Sequence, residues 1–293
     1  MMTSKFGVHS LVFTSDWNAV TAAAACQTAH EIGFDLIEVL IFDPARLNVA
    51  ATARAARDTG IGLRLGMALS PDSDISSPDP EIAARGVATV ARCLEIAADL
   101  QAPAVSGITY AAFNSYAAPP TEAQRDQVAQ ALARLDTRAG ELGVRLGIEP
   151  VNRYESYMVN TLDQGADLIR RAGGRNLFLH LDTFHMNIEE SDMTAAIRRN
   201  AALLGYVHLA DNHRGLLGTG TFDLKGCFRA LCAAGYGGDF TVESFSPAPL
   251  AADLVGGLRL WRRAWERPAE AARIALAAMR QGLAEARGAT DIW

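Results

Sequence analysis

The chain has 293 residues, 49% of them hydrophobic, which is enough for a large core in one or two domains. Its net charge of −6 argues against a nucleic-acid partner, which needs a basic face. No apolar run reaches the length a bilayer requires, and the opening MMTSKFGVHS lacks the pattern of a signal peptide, so no membrane span is expected and the protein is assigned to the cytoplasm.

Short apolar runs alternate with longer helical patterns, the sequence form of βα units. Phe6–Phe13 reads as the first strand, and Asp16–Ile32 as an Ala-rich helix with Asp16 as its N-cap and Gly33 as its stop. Phe34–Ile41 is the second strand, followed by a helix to Thr59 that Gly60 ends. Gly62–Leu69 is the third strand, and a polar loop leads into a helix over Pro80–Leu100. Ala102–Tyr110 is the fourth strand; the helix Thr121–Leu142 then opens with Thr121 and Gln124 spaced as a capping box. Val144–Val151 is the fifth strand, Thr161–Ala172 a helix, Leu177–Thr183 the sixth strand and Met193–Asn200 a further helix. Leu204–Asp211 is the seventh strand, Leu224–Ala234 a helix and Asp239–Phe245 the eighth strand. The tail from Leu250 is helical, with Pro268 starting a separate last helix.

Eight strands alternating with helices point to a single TIM barrel, an α/β fold, over residues 1–293 with extra C-terminal helices. A doubly wound open sheet would want a glycine-rich phosphate loop after the first strand, and VHSLVFTSDW is not one. The four cysteines, Cys26, Cys93, Cys227 and Cys232, have no zinc-like pairing and are expected as reduced thiols.

A barrel places its active site at the C-terminal ends of its strands. There the fifth strand carries Glu149, the sixth Asp182, the seventh His208 and the eighth Glu243. Apolar neighbours of opposite parity (Ile148, Leu181, Val207, Leu209, Val242) belong to the other face of the sheet, so the four polar groups point into the barrel mouth together. Any one alone reads equally well as a structural residue. Four at one level do not, because buried carboxylates need a partner and no lysine or arginine sits at a matching strand end. Three oxygen donors and one imidazole suit a divalent ion of intermediate hardness, Mn²⁺ first, then Co²⁺ or Mg²⁺; zinc is less favoured by so carboxylate-rich a set.

The motifs IEPVNRYE (148–155), HLDTFHMNIEE (180–190), YVHLADNHRG (206–215) and VESF (242–245) resemble those of the D-tagatose 3-epimerase family of ketose 3-epimerases. HRGLLGTG brings the chain nearest to the L-ribulose and D-allulose 3-epimerase branch, within the xylose-isomerase-like barrels. The resemblance implies a Mn²⁺-type ion on Glu149, Asp182, His208 and Glu243, with Glu155, His185 and Arg214 holding the sugar's oxygens around C1 to C3. It implies inversion of C3 of free ketoses by two-base proton transfer through a metal-bound enediolate, with Glu149 and Glu243 as the two bases. A homodimer or homotetramer is the expected assembly. His9, Gly66 and Phe113 depart from the tagatose-type pattern at positions that line the far end of the sugar, and Ala210-Asp211-Asn212 departs from the Gly-Glu of many relatives.

Other residues read more plainly. Glu38, at the end of the second strand, either reaches the pocket or makes a structural hydrogen bond. His180 reads as a core histidine, His213 as a loop residue, and Glu189 and Glu190 as starting or capping a short helix. GLLGTGT (215–221) reads as a mobile loop over the site. Trp261, Trp265 and Trp293 read as packing the C-terminal helices or a subunit interface. The alternative function is a sugar isomerase or dehydratase of the same barrel class. An endonuclease IV-type phosphodiesterase needs a histidine-rich zinc cluster, which six histidines in the whole chain disfavour. A non-enzymatic sugar-binding module would not need two carboxylates flanking its ligand.

Overall fold

In the computed structural model, residues 4–290 are described. The order is β1 (Phe6–His9), a 3₁₀ turn (Ser10–Val12), α1 (Ala19–Ile32), β2 (Leu36–Ile41), α2 (Val49–Thr59), β3 (Gly62–Leu69) and α3 (Pro80–Asp99). Then come β4 (Ala104–Ala112), α4 (Glu122–Leu142), β5 (Arg145–Ile148), α5 (Leu162–Ala172), β6 (Leu177–Asp182), α6 (Thr183–Glu189) and α7 (Met193–Asn200). The chain finishes with β7 (Leu204–Leu209), α8 (Leu224–Ala233), β8 (Phe240–Val242), α9 (Ala252–Gly257) and α10 (Pro268–Thr290). The strands pair in parallel in chain order, and β1 closes the ring by pairing with both β2 and β8. This is the expected eight-stranded barrel with extra C-terminal helices. No helix among the described residues is long and apolar enough to cross a membrane.

Local chemistry sets the helix ends. The Thr121–Gln124 capping box forms as expected, and Gly33 and Gly60 stop α1 and α2 in the left-handed conformation at φ 101° and 74°. The start of α1 differs from the sequence reading. Asn18, not Asp16, is the cap: its side chain accepts from the Val20 and Thr21 amides, and the Thr21 hydroxyl accepts from the Asn18 amide in return. Asp16 lies two residues too early to reach those amides and instead accepts from the Asn18 side chain at 2.8 Å.

Along the strands, side chains alternate between two environments. Ile37, Val39, Leu179, Leu181, Val207 and Leu209 face outward and are buried under the helices. Inside the barrel, Ala104, Phe178 and Tyr206 fill the N-terminal end as a separate apolar cluster. Arg145 stacks on Phe178 at 4.7 Å, and Arg64 lies over Tyr206 at 5.5 Å while pairing with Asp239. That end is therefore plugged, and the interior opens toward the C-terminal ends of the strands. Trp265 is buried and donates to Ser244 at 2.9 Å, whereas Trp261 is 73% exposed and does not pack into the C-terminal helices; Trp293 lies outside the described residues.

Candidate active site

Glu149 and Glu243 stand one residue beyond the ends of β5 and β8, where the pairing has run out but the neighbouring strands still hold the chain. The Glu149 amide donates to Gly107 O at 3.1 Å and the Glu243 amide to Leu209 O at 3.0 Å. Asp182 closes β6 and His208 lies on β7, directly paired in register. All four side chains are buried. His208 Nδ1 faces the three carboxylates, 3.8 Å from Glu149 Oε1, 3.9 Å from Asp182 Oδ2 and 3.7 Å from Glu243 Oε1. Two buried atoms turned to this space, Asp182 Oδ2 and His208 Nδ1, have no hydrogen-bond partner, and Glu243 Oε2 has the Arg214 guanidinium as its ion-pair partner. Asp182 divides its work: Oδ1 accepts from the Phe184 amide at 2.6 Å and caps α6, which leaves Oδ2 free.

The electrostatics describe a site short of positive charge. Burial raises the proton affinity of Glu149 first, and the negative charges of Asp182 and Glu243 raise it further against the opposing pull of His208. Burial likewise raises Asp182 and Glu243, with Arg214 opposing in each case. Burial works against charge on His208, but Glu38, Glu243 and Glu149 outweigh it and push the imidazole up to about 10. Two like charges 4 Å apart repel by roughly 4 kcal/mol at an effective dielectric near 20. A divalent cation reverses that sign. Asp182, His208 and Glu243 offer donor atoms all within 4.8 Å of one another, and Glu149 falls into two overlapping groups, one with Asp182 and His185 and one with His180 and His208. The donors therefore fit such an ion, and the unpartnered atoms are those it would satisfy.

Above this cluster sits a second layer. Arg214 is buried, with its backbone in the left-handed region at φ 53°, a conformation that costs a non-glycine residue on the order of 1 kcal/mol. Its Nη2 lies 3.0 Å from Glu243 Oε2 and 3.0 Å from His185 Nε2, and its Nη1 lies 3.4 Å from Glu155 Oε1. Burial opposes its charge, and Glu155, Glu243 and Asp182 hold it. His185 is met by a donor at each ring nitrogen, the Asn152 amide 3.0 Å from Nδ1 and the Arg214 guanidinium 3.0 Å from Nε2. Burial and then Arg214 lower the proton affinity of His185, so the ring is neutral. The Arg214 guanidinium and the His185 ring thus converge on one space beside the Glu155 carboxylate.

The remaining expected residues divide. His9 is buried, with its ring 5.9 Å from that of His208 and 5.7 Å from that of Phe245. Phe113 is half-buried, and its loop is tied to that of Glu155 by the Asn114 amide donating to Glu155 O at 2.9 Å. Gly66 instead faces Glu38: a Cβ there would lie 2.5 Å from Glu38 Oε1. His180 is fully buried, as a core histidine should be, but neither ring nitrogen has a partner and Nδ1 lies 3.6 Å from Glu149 Oε2. Of the two readings of Glu189 and Glu190, the capping one holds: Glu189 ends α6 and Glu190 is its C-cap; Glu189 accepts from Arg153, and Glu190 accepts from the Leu162 amide at the start of α5. The loop 215–221, expected to be mobile, has an internal anchor: buried Asp211 accepts from the amides of Asn212, Gly218 and Gly220, each at 2.9 Å. Any Cβ at 220 would lie 1.9 Å from Asp211 Oδ1, so only glycine closes that loop.

Sequence reasoning overlooked Phe184 and Phe245, whose rings lie 4.1 and 5.2 Å from the Arg214 guanidinium, and Asn152, which orients His185. The first two lie inside HLDTFHM and VESF, beside residues already chosen, and an aromatic next to a strand-end ligand was the available signal.

Comparison with known proteins agrees with this fold. Residues 26–274 match the family model described as xylose isomerase-like TIM barrel. The chain is 39% identical to the L-ribulose 3-epimerase of Mesorhizobium japonicum over 99% of this chain and 97% of that one. It is 38% identical to the ketose 3-epimerase of Arthrobacter globiformis over 89% and 90% of the two chains. The crystal structure of D-allulose 3-epimerase from Methylomonas sp. in complex with D-allulose superposes with a TM-score of 0.93 at 34% identity, covering 96% of this chain and 98% of that one.

Proposed function

Because the chain belongs to the xylose isomerase-like TIM barrels and, within them, to the ketose 3-epimerases, which are isomerases, we propose that it inverts C3 of free ketoses with Mn²⁺ as its ion. L-ribulose and D-allulose lead the list of substrates, with D-fructose and D-tagatose as further members. The observation that carries this reading is the cluster of buried ligand atoms on Asp182, His208 and Glu243, with Asp182 Oδ2 and His208 Nδ1 unpartnered, turned toward one space that Glu149 also faces. Glu149, Asp182, His208 and Glu243 would hold the ion. When bound, it polarises the ketone and stabilises negative charge on the substrate's oxygens.

The chain's own residues supply the rest. Inversion at a carbon beside a ketone removes a proton from one face and returns one to the other, so it needs two acid/base groups. Glu149 and Glu243 come from strands separated by β6 and β7 and serve as that pair, one taking the C3 proton while the other delivers one. Arg214 donates to the oxygens around C1 to C3, His185 helps to hold them, and Glu155 accepts from a hydroxyl there. Arg214 is the basic side chain of this layer, which supports an uncharged ketose over a ketose phosphate. His9 and Phe113 border the far end of the sugar. Free thiols at Cys26, Cys93, Cys227 and Cys232 support a reducing compartment such as the cytoplasm, and exposed Trp261 supports self-association as a dimer or tetramer.

The test is incubation with L-ribulose or D-allulose and Mn²⁺ in deuterated water. Each should give its C3 epimer with deuterium at C3. Chelator should abolish the reaction and Mn²⁺ or Co²⁺ restore it. Full turnover by protein shown by elemental analysis to be metal-free, or a strong preference for a ketose phosphate, would overturn the proposal.

A further inference from the structure

Two buried imidazoles, His180 and His208, lie with ring centroids 4.0 Å apart, and both are within reach of Glu149. They differ in what holds them. His180 has no hydrogen-bond partner on either nitrogen. His208 has one: its Nε2 lies 2.6 Å from Glu38 Oε2. Glu38 points inward from β2, is buried, and accepts at the same oxygen from the Tyr206 hydroxyl at 2.6 Å; Tyr206 in turn contacts the Thr241 hydroxyl. An ionised carboxylate only accepts, so Nε2 of His208 must carry its proton toward Glu38. The lone pair of the neutral ring is then on Nδ1, the nitrogen that faces Glu149, Asp182 and Glu243.

Gly66 belongs to the same arrangement. It pairs in register with Leu40 on β2, and its missing side chain is the room that Glu38 Oε1 occupies. A methyl group at 66 would lie 2.5 Å from Oε1 and 3.4 Å from Cδ, so the carboxylate would have to move. Its other oxygen is engaged by His208 and Tyr206, so it cannot move without stretching those bonds.

We infer that Glu38 is a positioning residue: it fixes the tautomer and direction of His208, making that ring and not His180 the cation's imidazole ligand, and Gly66 is the space that lets it do so. This rests on the reading of the four-residue cation site. It also removes Gly66 from the sugar pocket. Partners that orient a ligating histidine typically change metal affinity by 10–100-fold when removed.

The experiment measures Mn²⁺ dissociation constants by the EPR signal of free Mn²⁺ on the full-length protein. The variants are Glu38→Gln, Glu38→Ala, Gly66→Ala and the double variant Glu38→Ala with Gly66→Ala, and Asp182→Asn serves as the ligand-loss control. Glu38→Ala and Gly66→Ala should each bind Mn²⁺ about 10–100-fold more weakly, and Glu38→Gln, which keeps an acceptor, less severely. Gly66→Ala should add little once Glu38 is gone. The visible absorption of Co²⁺-loaded protein should shift in the same variants, while their melting temperatures in chelator stay close to the parent's. If Asp182→Asn loses Mn²⁺ while Glu38→Ala and Gly66→Ala bind within twofold of the parent, the inference fails and the site stands. If the parent binds no Mn²⁺, both fail. Should the Glu38 variants not fold, Gly66→Ala decides alone: parent-like affinity refutes the inference, and weakened affinity with a shifted Co²⁺ spectrum supports it.

Discussion

Arg214 occupies a backbone conformation that suits glycine, yet its guanidinium lies over the Phe184 and Phe245 rings and is set against Glu155 and Glu243. The local backbone preference loses there to side-chain contacts, a common mark of a working residue. Glu149 and Glu243 make the sharper test of residue roles. Each Gln variant keeps size and one carbonyl oxygen but cannot accept the C3 proton. Both should lose turnover by roughly 10²–10⁴-fold or more. With metal and deuterated water, each variant retains one base on one face. One should slowly exchange the C3 hydrogen of one epimer without converting it, and the other should do so only with the opposite epimer. Exchange of both epimers at equal rates by a metal-saturated variant refutes the two-base pairing.

Elements carry these side chains, and the joints between elements matter more than their lengths. The loop after β7 is folded around the Asp211 carboxylate, and the Arg214 amide donates to Asp211 O at 2.9 Å. Asp211→Ala takes the shared acceptor from three amides, those of half-buried Asn212 and exposed Gly218 and Gly220, and so unties the loop. Limited proteolysis should then cut between Gly215 and Thr221, and kcat/KM should fall by up to about 100-fold with the loss of Arg214 placement, the cost of a misplacement of about 1 Å. Intact loops and parent kinetics would show that the anchor is dispensable. Asp211 also shows what a sequence hides. The strand order, the helix spans and the inward parity of Asp182 and His208 were legible because apolar periodicity reports burial directly. The partners of Asp211 and Glu38 were not, since they lie several residues away in a loop or on a different strand. The start of helix α6 escaped notice because it runs straight on from β6, with Asp182 serving as both strand end and cap. Glu149 and Glu243 were read inside strands that in fact end one residue earlier, because the β4–β5 ladder holds only two register pairs and β8 is three residues long.

At the scale of the molecule, the ion and the fold are linked. A cation that binds only the folded site adds about 2.7 kcal/mol at 100 times its dissociation constant. For a domain of this size that raises Tm by about 5 °C. Differential scanning fluorimetry with chelator and then Mn²⁺ checks this, and a Tm indifferent to Mn²⁺ would count against the site. The thiols offer a second whole-molecule test. Burial pushes Cys93 and Cys227 up to about 12 and Cys26 up to about 11, so at neutral pH they should alkylate only on unfolding, with half-buried Cys232 reacting first. Finally, Ala104, Phe178 and Tyr206 block the far end of the barrel, so it has a single door. Substrate and product must use it in turn and compete for the same seat. Each epimer is then a competitive inhibitor of the other's conversion. The ratio of the two kcat/KM values equals the equilibrium ratio of the sugars, whatever residue is changed. Redesigning the pocket can therefore alter how fast a syrup of one ketose approaches its mixture with the other, but not the composition at which it stops.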